Sequence, residues 1–375
     1  MTRKLLLLIN SLEGGGAEKV FVSLATHLAS TGDWDLCIAT LDKVPDAHPA
    51  PPDVTRLRLD CRGSLLRSIW QVGGLISQWR PDVVLSFLTR ANCAAVLAKR
   101  RSDFRCVISE RVHTSSHLGR GPRGGLQRAI VSWLYPSADG VIAVSGGVGD
   151  ELASSYGVPS SLITVIPNPV FSETLQIRGQ EEPKVDLPHD FFVAIGRLVP
   201  NKGGEVLLRA FAAHVNTDRA LVILGEGPER TRLMALACVL GIEGRVYMQG
   251  YVDNPQAFLA RATAYVSASR SEGFPNALVE AMSLGRAVVS TDCHSGPAEI
   301  LAEGPSGRVE GPYQARWGLL VPVDDIMALT SAMDLMDDAA LRARYGMLSR
   351  QRMQSFAPAD IFRRYEGFLN AYTVQ

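Results

Sequence analysis

The chain has 375 residues, 46% of them apolar, with 34 glycines and 21 prolines, a length that suits two α/β domains better than a single core. Lysine plus arginine equals aspartate plus glutamate at 38 each, so no global field draws the protein to nucleic acid or to an anionic bilayer, and any basic site must be local. The six cysteines form no Cys-x-x-Cys pair and read as scattered buried thiols of a reducing compartment. Arg3 and Lys4 open an apolar run that stops at Asn10, too short for a secretory signal. No run of about 18 apolar residues offers a membrane span, and a cytoplasmic protein is expected.

In chain order, residues 4–10 read as a buried strand, and Gly14-Gly15-Gly16 turn the chain into a helix over 17–30 with Val20, Leu24 and Leu28 on one face. A dinucleotide fingerprint, Gly-x-Gly-x-x-Gly, is not met, because Ala17-Glu18-Lys19 follow the third glycine. An acid in the first turn would also repel a pyrophosphate. Strands are expected over 34–41 and 54–59, a helix over 65–79, and further strands over 82–86, 105–109 and 140–144. This alternation implies a doubly wound parallel sheet.

Between residues 99 and 128 stand eight Lys or Arg against Asp103 and Glu110 only. Glu110, Arg111, His113 and His117 leave a strand end, the ligand-bearing side of such sheets. His113 is a candidate substrate contact or base, with Glu110 as its rival. The two histidines lack a regular helix and a clustered carboxylate, so no metal site is expected. Arg120, Arg123 and Arg128 lead into an apolar helix, 126–134, containing Trp133. Two readings of that region stay open: a surface for acceptor or anionic membrane, with Glu110 and Arg111 as further acceptor candidates, or an ordinary domain helix beside a solvated basic loop.

A helix over 145–156 and a strand over 162–166 precede Pro167-Asn168-Pro169. Residues 171–188, with Pro183, Pro188 and no periodicity, read as a linker. The expected organisation is a domain over 1–170, the linker 171–188, a second domain over 189–356 and a terminal helix over 357–375. That helix has Ile361, Phe362, Tyr365, Phe368 and Leu369 at helical spacing. It must dock, either on its own domain or back on the first.

The second domain restarts the alternation. After a strand over 191–195, Arg197 and Lys202 bracket a turn before a helix N-terminus. An arginine fork, a lysine point charge and free helix N–H groups suit a diphosphate without a metal. The turn 250–255, with Val252, can offer backbone to a planar base. A strand over 264–269 leads into Ser-Glu-Gly-Phe-Pro-Asn-Ala-Leu-Val-Glu at 271–280, which places Glu272 in a loop and Glu280 in the first turns of a helix. Carboxylates on either side of a helix start can grip polyhydroxylated groups.

Three motifs in order, residues 14–18, residues 197–202 and Glu272-x7-Glu280, resemble the retaining glycosyltransferases of family 4 over essentially the whole chain. The loops Ser295-Gly296-Pro297 and Gly311-Pro312-Tyr313, and Gly318-Leu319-Leu320-Val321-Pro322, look like bacterial members that build cell-surface glycans. The resemblance implies two Rossmann-like domains facing across a cleft, the glycosyltransferase-B fold. It also implies transfer from a nucleotide sugar, a uridine donor by default, to a hydroxyl of a glycan or lipid-linked acceptor, with no cofactor, no metal and no nucleic-acid partner. It implies that Arg197 and Lys202 neutralise the leaving diphosphate and that Glu280 binds the ribose. Glu272 with Gly273, Phe274, Pro275, Asn276 and Ala277 would hold the donor sugar, Gly15 and Gly16 would admit the phosphates and sugar, and His113 would stand near the reacting sugar. A small soluble acceptor and a non-catalytic nucleotide-sugar binder are the alternatives.

Overall fold

The computed structural model describes residues 3–118, 121–304, 307 and 309–372. It divides into two compact units, Met1–Pro169 with Ala359–Gln375, and Val170–Pro358.

In the first unit β1 (Arg3–Ile9), β2 (Trp34–Thr40), β3 (Thr55–Arg58), β4 (Val83–Phe87), β5 (Arg105–Glu110), β6 (Gly140–Ala143) and β7 (Ile163–Val165) form one sheet in the order β3-β2-β1-β4-β5-β6-β7. Every pairing is parallel. The leucines of β1 are fully buried, as expected of a strand covered on both faces, and such strands lose the polar alternation of an exposed sheet. Strand order reverses between β1 and β4, so the loops after those strands open the crevice where doubly wound sheets take ligands.

In the second unit β8 (Phe191–Ile195), β9 (Ala220–Leu224), β10 (Val246–Gly250), β11 (Ala264–Ser267), β12 (Ala287–Thr291), β13 (Tyr313–Ala315) and β14 (Gly318–Val321) follow the order β10-β9-β8-β11-β12-β14-β13. Only β13 runs antiparallel, against β14. Its three residues, two of them exposed, are too few and too polar to announce a strand. The reversal here lies between β8 and β11.

Two expectations need correction. The linker expected over 171–188 is in part a helix, Ser172–Gln180, belonging to the second unit. Its buried contacts are Leu175 and Gly179, and a glycine contact leaves no apolar mark in the sequence. The helix is fastened by Asn254 Nδ2 donating to Arg178 O at 2.9 Å and Arg261 donating to Gly179 O at 3.2 Å. A Cβ on Gly179 would come within 3.0 Å of Leu284. The second correction concerns the boundary after 170: Val170 itself belongs to the second unit, where its N–H donates to Phe356 O at 2.8 Å.

The helix Pro358–Asn370 buries Ile361, Phe362, Tyr365 and Leu369 in the first unit. His27 lies 2.7 Å from Glu366 and stacks on Phe362. Tyr372 donates to Asp139 O at 3.1 Å, passing so close to Gly140 that a Cβ there would meet the phenol oxygen at 2.2 Å. Among the described residues no helix is long and apolar enough to cross a membrane.

Candidate active site

At the reversal point of the second sheet, the loops after β8 and β11 are pressed together. Gly203 has φ 66°, and a Cβ there would lie 1.9 Å from Ala268 O, so no side chain fits. Asn201 ties the loops twice: its carbonyl accepts from Arg270 N at 2.8 Å and its Nδ2 donates to Ser271 O at 3.0 Å. This register sets Lys202 Nζ 2.6 Å from Glu272 Oε1, with the carboxylate the less exposed of the two. Arg197, on the same loop as Lys202, is exposed, and among the described residues its side chain has no hydrogen-bond or ion-pair partner. One open cation and one paired cation therefore stand at the strand ends.

A third loop, after β12, buttresses Glu272. Ser295 is fully buried and its hydroxyl donates to the Glu272 carbonyl. Gly296 has φ 94°, and a Cβ there would lie 2.6 Å from Pro275 Cδ. The helix Asn276–Ser283 then starts, with Leu278, Val279 and Met282 buried and Asn276, Ala277 and Glu280 half-buried. Gly273, Phe274 and Pro275 are buried beneath the loop. Gln256 Nε2 donates to Glu280 Oε2 at 2.9 Å. Gln256 opens the helix Pro255–Leu259 directly after the turn carrying Val252, so it links that turn to Glu280. Asn201, Gln256 and Ser295 are three supports that spacing in the sequence does not reveal, because each acts through a backbone carbonyl or a distant carboxylate. Burial, with the Glu272 charge second, pushes the Tyr265 phenol well above its ordinary range and the Cys293 thiol to about 12. Both stay neutral at physiological pH.

In the first unit β5 ends on Glu110, which is fully buried. Its Oε2 accepts from Tyr135 OH at 2.6 Å and from Thr89 Oγ1 at 3.4 Å, and its Oε1 accepts from Arg111 N at 3.2 Å. Burial raises its pKa to about 7 against those hydrogen bonds. Arg111 is only 6% exposed. Its guanidinium donates to Asn168 Oδ1, to Tyr365 OH at 2.8 Å and to Ser109 Oγ at 3.4 Å and lies over Phe87. Both residues are thus internal, which corrects the expectation that they offer charge to an acceptor or membrane. His113 is half-buried at the start of the short helix Thr114–His117. Its Nδ1 lies 3.2 Å from Glu151 Oε1 and 3.1 Å from Ser116 Oγ. Glu151 also accepts from Thr114 N at 2.7 Å and Ser115 N at 2.8 Å, so one buried carboxylate caps the helix and orients the imidazole.

Gly15 stands before the helix Gly16–Thr31, with the Glu18 carboxylate folded over it: a Cβ on Gly15 would meet Glu18 Oε2 at 2.5 Å. Arg123 is exposed and Arg128 half-buried on the helix Pro122–Leu134, while Arg120 lies outside the described residues. Among the described residues no group of His, Cys, Asp and Glu could hold a metal ion.

Comparison with known proteins bears on the family and the fold. Residues 14–173 match the family described as Glycosyltransferase Family 4, and residues 189–337 match Glycosyl transferases group 1. The chain is 28% identical over 377 residues to a Campylobacter jejuni enzyme named N-acetylgalactosamine-N,N'-diacetylbacillosaminyl-diphospho-undecaprenol 4-alpha-N-acetylgalactosaminyltransferase, covering 96% of this chain and 98% of that one. It is 28% identical to the lipopolysaccharide 1,6-galactosyltransferase of Salmonella typhimurium, over 67% of this chain and 74% of that one. Among solved structures, the lipopolysaccharide outer core galactosyltransferase WaaB superposes with a TM-score of 0.74 at 21% identity, covering 98% of this chain and 99% of that one. Anabaena HepE, solved with UDP and glucose, gives 0.77 at 19% identity over 98% and 99%. Two Rossmann-like units in this strand order, matched along both halves, show that the chain belongs to glycosyltransferase family 4, with the glycosyltransferase-B fold.

Proposed function

We propose that the protein transfers a hexose or N-acetylhexosamine, with retention at the anomeric carbon and without a metal, from a uridine diphosphate sugar to a hydroxyl of a lipid-linked or surface-polysaccharide intermediate. The observation that carries this reading is the Lys202–Glu272 pair at 2.6 Å beside the open Arg197, at the strand reversal where doubly wound folds bind ligands. The two cations disperse charge on the departing diphosphate, as a preorganised site does in place of a metal. Glu272 and the backbone of residues 273–276 receive the sugar hydroxyls, Glu280 receives the ribose, and the turn with Val252 receives the base. His113, half-buried where Glu110 is sealed, is the first unit's candidate for a substrate contact. The acceptor proton passes to the leaving phosphate oxygen.

Names of relatives support the acceptor class: the Campylobacter enzyme's names an undecaprenol diphosphate, and the Salmonella enzyme's names lipopolysaccharide. HepE, solved with UDP-glucose, supports a uridine donor. With an acceptor of that kind, the protein works at the cytoplasmic face of the membrane. The test is a panel of nucleotide sugars, first by thermal shift and then by transfer to a polyprenyl-diphosphate glycan, with the anomeric configuration of the product read by nuclear magnetic resonance. Inversion would refute retention. Turnover to soluble sugars alone would refute the lipid-linked acceptor.

A further inference from the structure

Among the described residues, the large apolar side chains exposed in the first unit are Leu66 and Trp70, each 79% exposed, Leu126 at 64% and Trp133 at 57%. They are not scattered. Leu66 and Trp70 sit one turn apart on the helix Leu65–Trp79, and Leu126 and Trp133 sit on the helix Pro122–Leu134. The helix Thr89–Lys99 packs against both. At its C-terminal end Arg100 lies over the Trp133 ring, 4.1 Å from its centroid, while also lining a groove of about 760 Å³ shared with Trp70, Gly74, Leu97 and Arg101. Arg100 therefore makes the two apolar patches one surface.

The charge on this layer is one-sided. The three helices hold Arg67, Arg90, Lys99, Arg123 and Arg128 and no aspartate or glutamate, in a chain whose charges balance overall. The groove likewise has arginines and no carboxylate in its lining. Arg90 and Lys99 are occupied by Asp42 and Asp139, which leaves Arg67, Arg100, Arg101 and Arg123 exposed at the rim.

We infer that this three-helix layer is the face that docks on an anionic phospholipid bilayer, with Leu66, Trp70 and Trp133 entering the headgroup boundary and the arginines meeting lipid phosphates. A bilayer supplies both halves of the match: an apolar interior for leucine and tryptophan, whose amphipathic ring favours the interface, and negative charge for the rim. A second copy of this chain does not, since a two-fold contact would oppose the same cations. The surface takes in the helix with Trp133 that the sequence singled out and extends it to Leu66 and Trp70 on the helix Leu65–Trp79. It takes its purpose from the lipid-linked acceptor proposed above, and rests on that reading there.

The test is flotation of the full chain with vesicles of phosphatidylglycerol and phosphatidylethanolamine, against phosphatidylcholine alone. Wild-type protein should float with the anionic vesicles and lose binding as salt rises. A Leu66→Ser, Trp70→Ser double variant and an Arg100→Glu, Arg101→Glu double variant should each partition about tenfold less or weaker still, with unchanged thermal midpoints, because the altered side chains are exposed. Transfer to a water-soluble acceptor analogue should be unaltered in the Leu66, Trp70 variant, while transfer to a vesicle-borne acceptor slows. Wild type that stays with the aqueous phase, or variants that float as wild type does, overturn the proposal; the first of these results leaves an acidic protein as the occupant. Flotation without transfer to any lipid-linked acceptor overturns the functional reading and leaves the docking face standing.

Discussion

Lys202 Nζ lies 2.6 Å from Glu272 Oε1, across 70 residues of chain. The cation read as the diphosphate's partner therefore holds the carboxylate read as the sugar's partner, and a donor that engages one disturbs the other. Lys202→Ala should lower kcat about 10²-fold, because a leaving-group donor is lost and Glu272 is left without its cation. Arg197→Ala should cost a similar factor, with no loss of thermal stability, since Arg197 is exposed. Initial rates at saturating donor measure both. Near-normal rates in the double variant would remove the cradle from the mechanism.

The buttress behind Glu272 makes a separate prediction. Ser295→Ala removes the hydroxyl that donates to the Glu272 carbonyl, a change of about 1 kcal/mol in local order. Gly296→Ala forces a Cβ against Pro275 at φ 94°, which costs roughly 1–3 kcal/mol. Both should lower kcat more than they weaken binding of the free nucleotide, because the contacts proposed for the nucleotide are Arg197, Lys202, Glu280 and the turn with Val252. A titration of uridine diphosphate beside steady-state rates separates the two effects. An equal fall in affinity and rate would show that the loop contributes general binding rather than the position of Glu272.

How far these features could be read from the chain depends on what makes them. The strand-to-helix turns were legible because glycines, short apolar runs and charges at strand ends are local signals: Arg197, Lys202, Glu272 and Glu280 fall where spacing put them. Glu110 and Arg111 stand at a strand end just as plainly, yet both are internal. Nothing local says so, because Arg111 is covered by Tyr365, 254 residues away. The supports Asn201, Gln256 and Glu151 are hidden for the same reason, being polar residues whose partners lie on other elements of the chain. Two elements were obscured by composition: the helix Ser172–Gln180, which packs through a glycine, and β13, which is short, polar and at a sheet edge.

Glu110 should make stability fall as pH rises. Its pKa is about 7 in the folded chain against an ordinary value of 4.5, so between those values the native state holds a proton that the unfolded state has released. Stability is then greatest below the unfolded value and declines through the folded one. At roughly 1.4 kcal/mol per unit, the full swing is about 3 kcal/mol. Glu110→Gln, which keeps an acceptor for Tyr135, should flatten that part of the slope and be the more stable form at about pH 8. Glu18, also raised by burial, adds slope of the same sign to both proteins, so the difference between wild type and variant is the quantity to measure. Urea unfolding across the range provides it, and parallel curves would show that Glu110 does not titrate in this window.

Tyr365 should matter more than a single hydroxyl suggests. It is fully buried on the returning helix, and its oxygen accepts from Arg111 Nη1 at 2.8 Å. Among the described residues, Arg111 Nε already has no hydrogen-bond partner. Tyr365→Phe leaves Nη1 of the same buried cation with only the 3.4 Å contact to Ser109 Oγ and should cost about 1–3 kcal/mol. Arg111→Leu instead removes the charge along with its unmet donors, so its cost is cavity and lost contacts with Asn168 rather than an uncompensated ion. In the Arg111→Leu background, Tyr365→Phe should become nearly neutral, because the hydroxyl no longer has a cation to satisfy. A double-mutant cycle by urea unfolding tests this coupling. Additive losses would mean that Tyr365 stabilises the helix by packing alone, and that Arg111 does not fasten the terminal helix to the end of β5.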